Sequence, residues 1–211
     1  MVARDILLAE LTGAHVHIAH VSTAGAVRLV REGKARGVRV TAEVTPHHLL
    51  LTDEAVREYD PNTKMAPPLR TKRDVEAVLE GLLDGTIDCI ATDHAPHALS
   101  EKEGEFGESA NGVVGLETAV PLLLDRLVRA GRMDLPTLIQ RLSPAPARLL
   151  NLPGGSLAQG APADITVLDL ERAWTVEPGK FRSRARNTPF AGFTGRGAPV
   201  MTIVGGRVVP A

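Results

Sequence analysis

Helix-like and strand-like stretches alternate over the first 150 residues of the chain. Apolar residues recur at helical spacing in several stretches. The predicted helices cover residues 1–12, 24–36, 52–60, 71–84, 116–130 and 134–150. Between them lie apolar or alternating stretches that are typical of buried strands. The predicted strands cover residues 14–21, 38–44 and 87–92. This alternation predicts an α/β fold with a parallel sheet.

The pattern changes at Pro153, where a segment rich in turns and β-branched residues begins. Two strand-like stretches follow, at residues 163–170 and 201–209. The second contains Gly205-Gly206 between two apolar runs, which is typical of a hairpin. We therefore predict a boundary between an α/β segment, residues 1–152, and a β segment, residues 153–211.

Only three strands precede this boundary, which is too few for a closed barrel. The helical pattern is also already under way at the start of the chain. These two features predict either an unusually small α/β domain or a piece of a larger one, and the motifs decide between them.

The composition is that of an ordinary globular protein and argues against several function classes. Hydrophobic residues make up 44% of the chain, and a net charge of -1 gives no field to attract nucleic acid or an anionic membrane. No apolar run reaches the length of a membrane span, which is about 18 residues, and no signal peptide is visible. The single cysteine, Cys89, favours a reducing, cytoplasmic compartment.

Potential metal ligands gather where the three predicted strands end. These residues are His20, Glu43, His47, His48, Asp93, His94 and His97. Because active sites of parallel α/β folds lie at the carboxyl ends of the strands, we expect the active site at this edge of the sheet. Neutral imidazole and carboxylate together suit a zinc ion.

Asp93 is the strongest candidate, because a carboxylate that closes an apolar strand needs a partner to offset its burial. Beside a metal it could act as general base and then as general acid. A turn or helix-capping aspartate is the alternative. His20, at the end of the first strand, is a candidate metal ligand, with a simple hydrogen-bonded histidine as its alternative. His94 could orient Asp93, and His97 lies where a substrate could meet it.

The other histidines are predicted to be structural. His15 and His17 form an H-x-H pair, but they lie too early in their strand to reach its carboxyl end. Neighbours such as His47 and His48 point apart, so at most one of them faces a site.

Five motifs, in matching order and spacing, resemble those of bacterial dihydroorotases of the larger, multi-domain type, in the amidohydrolase superfamily. They are HVST (20–23), EVTPHH (43–48), APPLR (66–70), ATDHAPH (91–97) and GLETAVPLLL (115–124). The resemblance covers essentially the whole chain. It implies the C-terminal half of a (β/α)₈ barrel, followed by a segment of a small β-sandwich.

The resemblance also implies the reaction and the residues that perform it. The reaction is the reversible, zinc-dependent cyclisation of N-carbamoyl-L-aspartate to L-dihydroorotate, with one or two zinc ions. His20 matches a metal ligand, and Asp93 matches the aspartate that serves as ligand and acid/base. His97 matches a residue that contacts the substrate, and Gly112 falls where backbone groups meet the pyrimidine ring.

The chain departs from the family pattern in two ways. The family's first H-x-H-x-R motif, its bridging ligand and its strand-five histidine are absent, so the chain resembles a truncated or split enzyme. We expect it to be inactive alone, and to aggregate, oligomerise or pair with a missing half. Ala66 also stands where the family often has an asparagine that contacts the substrate. The position is therefore expected to face the substrate, but alanine cannot donate the hydrogen bonds of asparagine.

Two other functions remain open. The chain could belong to a sister cyclic amidohydrolase that acts on hydantoins, dihydropyrimidines or allantoin, which Ala66 slightly favours and His97 disfavours. It could also be an inactive homologue that stabilises aspartate transcarbamoylase. In either case, we expect a homo-oligomer, and for an enzyme a small-molecule substrate.

Overall fold

The computed structural model describes residues 1–209, which divide into two compact units. Unit 1 comprises Met1–Gly115 and Phe181–Pro189. Unit 2 comprises Leu116–Lys180 and the chain from Phe190 onward. Among the described residues, no helix combines the length and apolar character needed to cross a membrane.

Unit 1 is a three-stranded parallel sheet with intervening helices. Its helices are α1 (Val2–Thr12), α2 (Ala24–Ala35), α3 (Pro46–Leu50) and α4 (Lys72–Leu83). Its strands are β1 (Val16–Ile18), β2 (Val40–Val44) and β3 (Cys89–Ile90), in the order β1-β2-β3. Both strand pairs are parallel, so the carboxyl ends of all three strands lie at one edge of the sheet.

Threonine side chains cap three of these helices where they begin. The hydroxyl oxygen of Thr23 accepts a hydrogen bond from the amide of Ala26 at 3.2 Å, and Thr45 and Thr71 cap α3 and α4 in the same way. At the other end of α1, Gly13 stops the helix with a φ of 70°. Such caps satisfy backbone groups that have no partner inside the helix.

Close packing of helices on the sheet forms the core of unit 1. Its fully buried members include Val30, Ala42, Val44, Val78, Leu82 and Ile87. Helices α2 and α4 pack closely at Gly81, where a β-carbon would lie 2.8 Å from Cγ1 of Val27. Any larger side chain at Gly81 would force the two helices apart.

Unit 2 combines helices with an antiparallel sheet. Its helices are α5 (Ala119–Leu123), α6 (Leu135–Leu142) and α7 (Pro144–Leu149), and α5 continues as a π-helical segment, Leu124–Arg129. Its strands are β4 (Ile165–Thr175), β5 (Thr194–Val204) and β6 (Arg207–Val209), in that order in the sheet. Helix and sheet are joined where the Arg196 amide donates to Oδ1 of Asp125 at 2.9 Å.

The structure confirms the predicted α/β fold and the hairpin at Gly205-Gly206, and it differs locally from the predictions. Residues 52–60 form only a 3₁₀ turn, Asp53–Val56, rather than a helix. Helix α3 was not predicted, because its start at Thr45-Pro46 resembles the end of a strand. The third strand is two residues long, and the chain adopts a left-handed conformation shortly after it, at Asp93.

The predicted boundary near residue 153 does not separate the compact units. Helix α5 and the π-helical segment pack on β5, so the helices before residue 153 and the strands after it share unit 2. Whether a complete barrel and sandwich divide at residue 153 stays a prediction.

Two adjacent leucines of α4 give a matched test of this packing. Leu82 is fully buried, whereas Leu83 is 42% exposed. We expect Leu82→Ala to lower the free energy of unfolding by about 2–5 kcal/mol, because it leaves a cavity. Leu83→Ala should cost less than about 1 kcal/mol. Equal losses for the two variants in urea titrations would contradict this core.

Two buried histidines make the stability of unit 1 depend on pH. His47 and His48 are each 2% exposed. The Nδ1 of His48 lies 2.7 Å from Oγ1 of Thr45, and its Nε2 lies 2.9 Å from the carbonyl oxygen of Pro67. Burial lowers the pKa of His48 to about 4, and burial lowers that of His47 well below its ordinary value. Both are therefore neutral in the folded protein at pH 7.

Protonation of His48 should favour the unfolded chain. Stability from this residue is fully present above its ordinary pKa of 6.5 and is lost as the pH falls towards about 4. The loss is on the order of 3 kcal/mol. We expect His48→Gln to flatten the plot of unfolding free energy against pH in this range, as measured by urea titrations of metal-stripped protein. The difference between parent and variant at pH 7.5 gives the effect of altered packing and is subtracted at each pH. Parallel pH profiles of the parent and the variant would contradict the assignment.

Candidate active site

His20 lies between two carboxylates at the edge where the parallel strands end. Its Nδ1 is 3.0 Å from Oε1 of Glu43, and its Nε2 is 3.5 Å from Oδ1 of Asp93. Glu43 is in β2, and Asp93 follows β3, so three neighbouring strands contribute one group each. The structure thus brings together the two predicted metal ligands, His20 and Asp93.

The backbone turns sharply at both of these residues. His20 has a φ of 53° and Asp93 a φ of 48°, which is the left-handed region that favours glycine. Only two other non-glycine residues in the described part of the chain, Tyr59 and Asn151, share this conformation. Strained backbone of this kind concentrates at functional sites, where it fixes the direction of a side chain.

Glu43 is held by a second histidine on the same face of the sheet. The Nε2 of His17 lies 3.2 Å from Oε2 of Glu43, and its Nδ1 lies 2.9 Å from Oγ1 of Thr41. Burial alone would raise the pKa of Glu43, but the contacts with His17 and His20 lower it to about 2. The contact with Glu43 in turn raises the pKa of His20 against the effect of burial, with help from Asp93. Glu43 is therefore a carboxylate at neutral pH.

The prediction that His17 lies too early in its strand to join this cluster was wrong. His17 is paired with Thr41 in the sheet, so His17 and Glu43 lie on the same face of two neighbouring strands. The alternation His15-x-His17 beside Thr41-x-Glu43 was the available signal, since side chains two residues apart point the same way. His15 also contacts Thr41, through an exposed imidazole.

The donor atoms here fit a metal ion. One atom each from His17, Glu43 and Cys89 lie within 4.8 Å of one another, a group that could hold a metal. Although Nε2 of His17 and Nδ1 of His20 are near Glu43, neither contact has hydrogen-bond geometry, and both nitrogens are buried. Buried polar atoms of this kind need a partner, and the carboxylate of Glu43 lies nearest to both. The Nε2 of His20 and the carboxylate of Asp93 are of the ligand types that bind zinc and similar cations.

The predicted substrate residues His97 and Gly112 are adjacent. Gly112 has a φ of 126°, and a β-carbon on it would lie 2.5 Å from Cβ of Ala95 and 3.3 Å from Nε2 of His97. Only glycine fits this position. The Nε2 of His97 also lies 2.8 Å from the carbonyl oxygen of Asn111.

Two separate cavities adjoin these residues. His97 lines a cavity of about 670 Å³ together with Arg184 and Arg186. Ala66 is exposed and lines another cavity, of about 620 Å³, whose wall includes Asn111. The structure therefore brings His97 and Gly112 together but places Ala66 in a different cavity from His97.

Two of the remaining histidines at the strand ends, His94 and His48, have other partners, whereas the buried Nε2 of His47 has no hydrogen-bond partner among the described residues. The Nδ1 of His94 accepts a hydrogen bond from the Gly115 amide at 3.1 Å, so its ring is anchored there. That contact does not reach Asp93, and the orienting role predicted for His94 stays a prediction. His48 is bonded to Thr45 and Pro67, as a structural histidine would be.

Comparison with known proteins places the chain in a family. The sequence model of the Amidohydrolase family matches residues 2–209. A protein named dihydroorotase from Syntrophus aciditrophicus is 57% identical, and one from Pelotomaculum thermopropionicum is 60% identical. Each alignment covers 99% of this chain and 49% of the relative. The chain thus spans about half the length of the curated relatives it matches.

Solved structures of related enzymes share the fold. An L-hydantoinase (dihydropyrimidinase) from Arthrobacter aurescens matches with a TM-score of 0.94 at 33% identity, over 99% of this chain and 47% of that one. A dihydropyrimidinase from Brevibacillus agri matches with a TM-score of 0.92 at 26% identity, over the same shares. Both the sequence match and the fold lead to one conclusion: this chain belongs to the amidohydrolase family.

Proposed function

We propose that this chain is part of a dihydroorotase, which catalyses the reversible cyclisation of N-carbamoyl-L-aspartate to L-dihydroorotate with zinc as its metal. The observation that carries the proposal is the 57–60% identity, over 99% of this chain, to relatives named dihydroorotase. The solved hydantoinase and dihydropyrimidinase structures share its fold at 33% and 26% identity. That difference in identity favours dihydroorotate over hydantoins as substrate.

His20 and Asp93 are the residues that would hold the zinc. They meet at the sheet edge, and their imidazole and carboxylate donors suit that ion. When bound, one or two zinc ions would polarise the ring carbonyl and activate water. These two ligands are fewer than such a site needs, so we propose that further ligands come from other parts of the full-length protein.

Asp93 would act as the proton carrier. In ring opening, its carboxylate takes a proton from the attacking water, and the acid so formed gives that proton to the departing ring nitrogen. The ring amide bond breaks, and an acyclic carboxylate forms. Ring closure is the same path in reverse, so one residue serves both directions.

Glu43 would orient His20. A metal-bound histidine usually presents its second ring nitrogen to a carboxylate, which fixes the tautomer and the ring direction. Glu43 occupies this position at Nδ1 of His20, while Nε2 is directed to Asp93. His17 holds Glu43 from its other oxygen.

His97 and the backbone at Gly112 would bind the substrate. His97 lies four residues after Asp93 on the chain that leaves β3, and Gly112 lies beside His97 at the far end of the loop 98–112. Exposed Arg184 and Arg186 line the same cavity as His97 and would attract an anionic substrate.

A sister activity on hydantoins or dihydropyrimidines is the second candidate. Ala66 favours it, because a methyl group cannot donate the hydrogen bonds of an asparagine to a polar ring. Parallel assays of the full-length protein with L-dihydroorotate, hydantoin and dihydrouracil distinguish the two. Turnover of L-dihydroorotate with the highest kcat/KM supports the proposal, and preference for either other substrate rejects it.

A third candidate is a scaffold for aspartate transcarbamoylase, and the convergence of His20, Glu43 and Asp93 argues for an enzyme instead. We propose a cytoplasmic homo-oligomer, with or without that partner. Light scattering after gel filtration of the protein from its source measures both the mass and any second chain.

Removing the proposed proton carrier should abolish turnover. We expect Asp93→Asn in the full-length protein to lower kcat by at least about a thousandfold, because it removes both the acid/base and a metal ligand. Asp84→Asn is the matched control, since Asp84 forms a surface ion pair with Arg31 away from the site. Dihydroorotate hydrolysis measures the effect, and an Asp93→Asn variant with near-normal kcat would overturn the role of Asp93.

Weakening the carboxylate behind His20 should loosen the metal. We expect Glu43→Gln to lower zinc affinity roughly 10–100-fold, because the amide cannot fix the imidazole as a carboxylate does. Glu32→Gln, on the exposed face of α2, is the control. Competition with a chelator of known affinity gives the dissociation constant, and equal values for Glu43→Gln and the parent would exclude an orienting role.

A further inference from the structure

Residues 98–112 form a loop between the two proposed substrate-binding positions. His97 precedes this loop and Gly112 closes it. The two ends are joined by a short stretch of parallel pairing, in which the Ala95 amide donates to the carbonyl oxygen of Val113 at 3.0 Å. The spacing of these ends decides where His97 lies relative to the backbone at Gly112.

One buried side chain from a distant part of unit 1 bridges these ends. The Nδ2 of Asn187 donates to the carbonyl oxygen of Ala95 at 2.9 Å and to that of Gly112 at 3.0 Å. Its Oδ1 accepts from the amide of His97 at 3.2 Å. Asn187 is only 5% exposed, so these bonds are shielded from water.

The backbone of the same residue adds a fourth bond. The amide of Val114 donates to the carbonyl oxygen of Asn187 at 2.9 Å. Asn187 therefore contacts the chain both before and after the loop. Its side chain gives two N–H donors and one oxygen acceptor, a set that an amide supplies. A carboxylate at this position would face two carbonyl oxygens without a proton to donate.

The two ends of the loop approach each other very closely at Gly112. Gly112 lies so close to Ala95 that a β-carbon on Gly112 would be 2.5 Å from Cβ of Ala95. Loss of the bonds to Ala95 and Gly112 would therefore change the position of His97, which lies between them.

We propose that Asn187 is a positioning residue, which sets His97 and the Gly112 backbone at the spacing that binds the substrate. It acts through these residues and does not itself touch the substrate. The substrate-binding part of this inference rests on the proposed function, whereas the bridging of the loop ends does not.

Asn187→Asp in the full-length protein tests the proposal, because it keeps the size of the side chain and removes the two donors. We expect KM for L-dihydroorotate to rise about tenfold, with kcat within about threefold and zinc content unchanged. A residue that only stabilised the fold would lower the melting temperature and leave KM of the folded protein unchanged. Asn151→Asp, the same chemical change at an exposed position, is the control.

Hydrogen exchange separates failure of this inference from failure of the proposed function. We expect the amides of Ala95, His97, Gly112 and Val114 to exchange faster in Asn187→Asp, and in Asn187→Ser should the aspartate variant not fold. If these amides exchange faster in the variant but the parent turns over no cyclic amide, the bridging role of Asn187 is supported and the proposed function is rejected. Parental exchange rates and parental KM in a folded variant would overturn the proposal.

Discussion

The site depends on the placement of one imidazole between two carboxylates at the edge of a parallel sheet. Partial burial of Glu43 and Asp93 around the same imidazole would be costly without a compensating positive charge or metal ion. His20 contacts both, and His17 adds a second contact to Glu43. This requirement explains why the strand ends carry histidines beside the carboxylates.

The proposed metal and substrate residues are linked by the chain itself. Asp93 follows β3, His97 comes four residues later, and Asn187 fixes the point where the loop returns at Gly112. A displacement at Asn187 would therefore reach His97 directly, while the strand ends that carry His20 and Glu43 are held separately by sheet pairing. Sheet pairing thus positions His20 and Glu43, and the side-chain bonds of Asn187 join the ends of the loop 98–112.

Periodic parts of this structure were predictable, and contacts between distant segments were not. Helices α2 and α4 follow from apolar spacing and threonine caps, and the meeting of His20 with Asp93 follows from the geometry of parallel strands. The role of His17 depends on strand register, which no local pattern reveals. The bonds of Asn187 join residues about 90 positions apart, so spacing along the sequence could not indicate them.

The proposed function requires that His20 and Asp93 hold one metal ion. Anomalous diffraction at the zinc edge, from crystals of the full-length protein grown with zinc, tests it most directly. We expect an anomalous peak within coordination distance of the Nε2 of His20 and of the carboxylate of Asp93. Zinc bound elsewhere, with no peak at His20 and Asp93, would contradict this assignment.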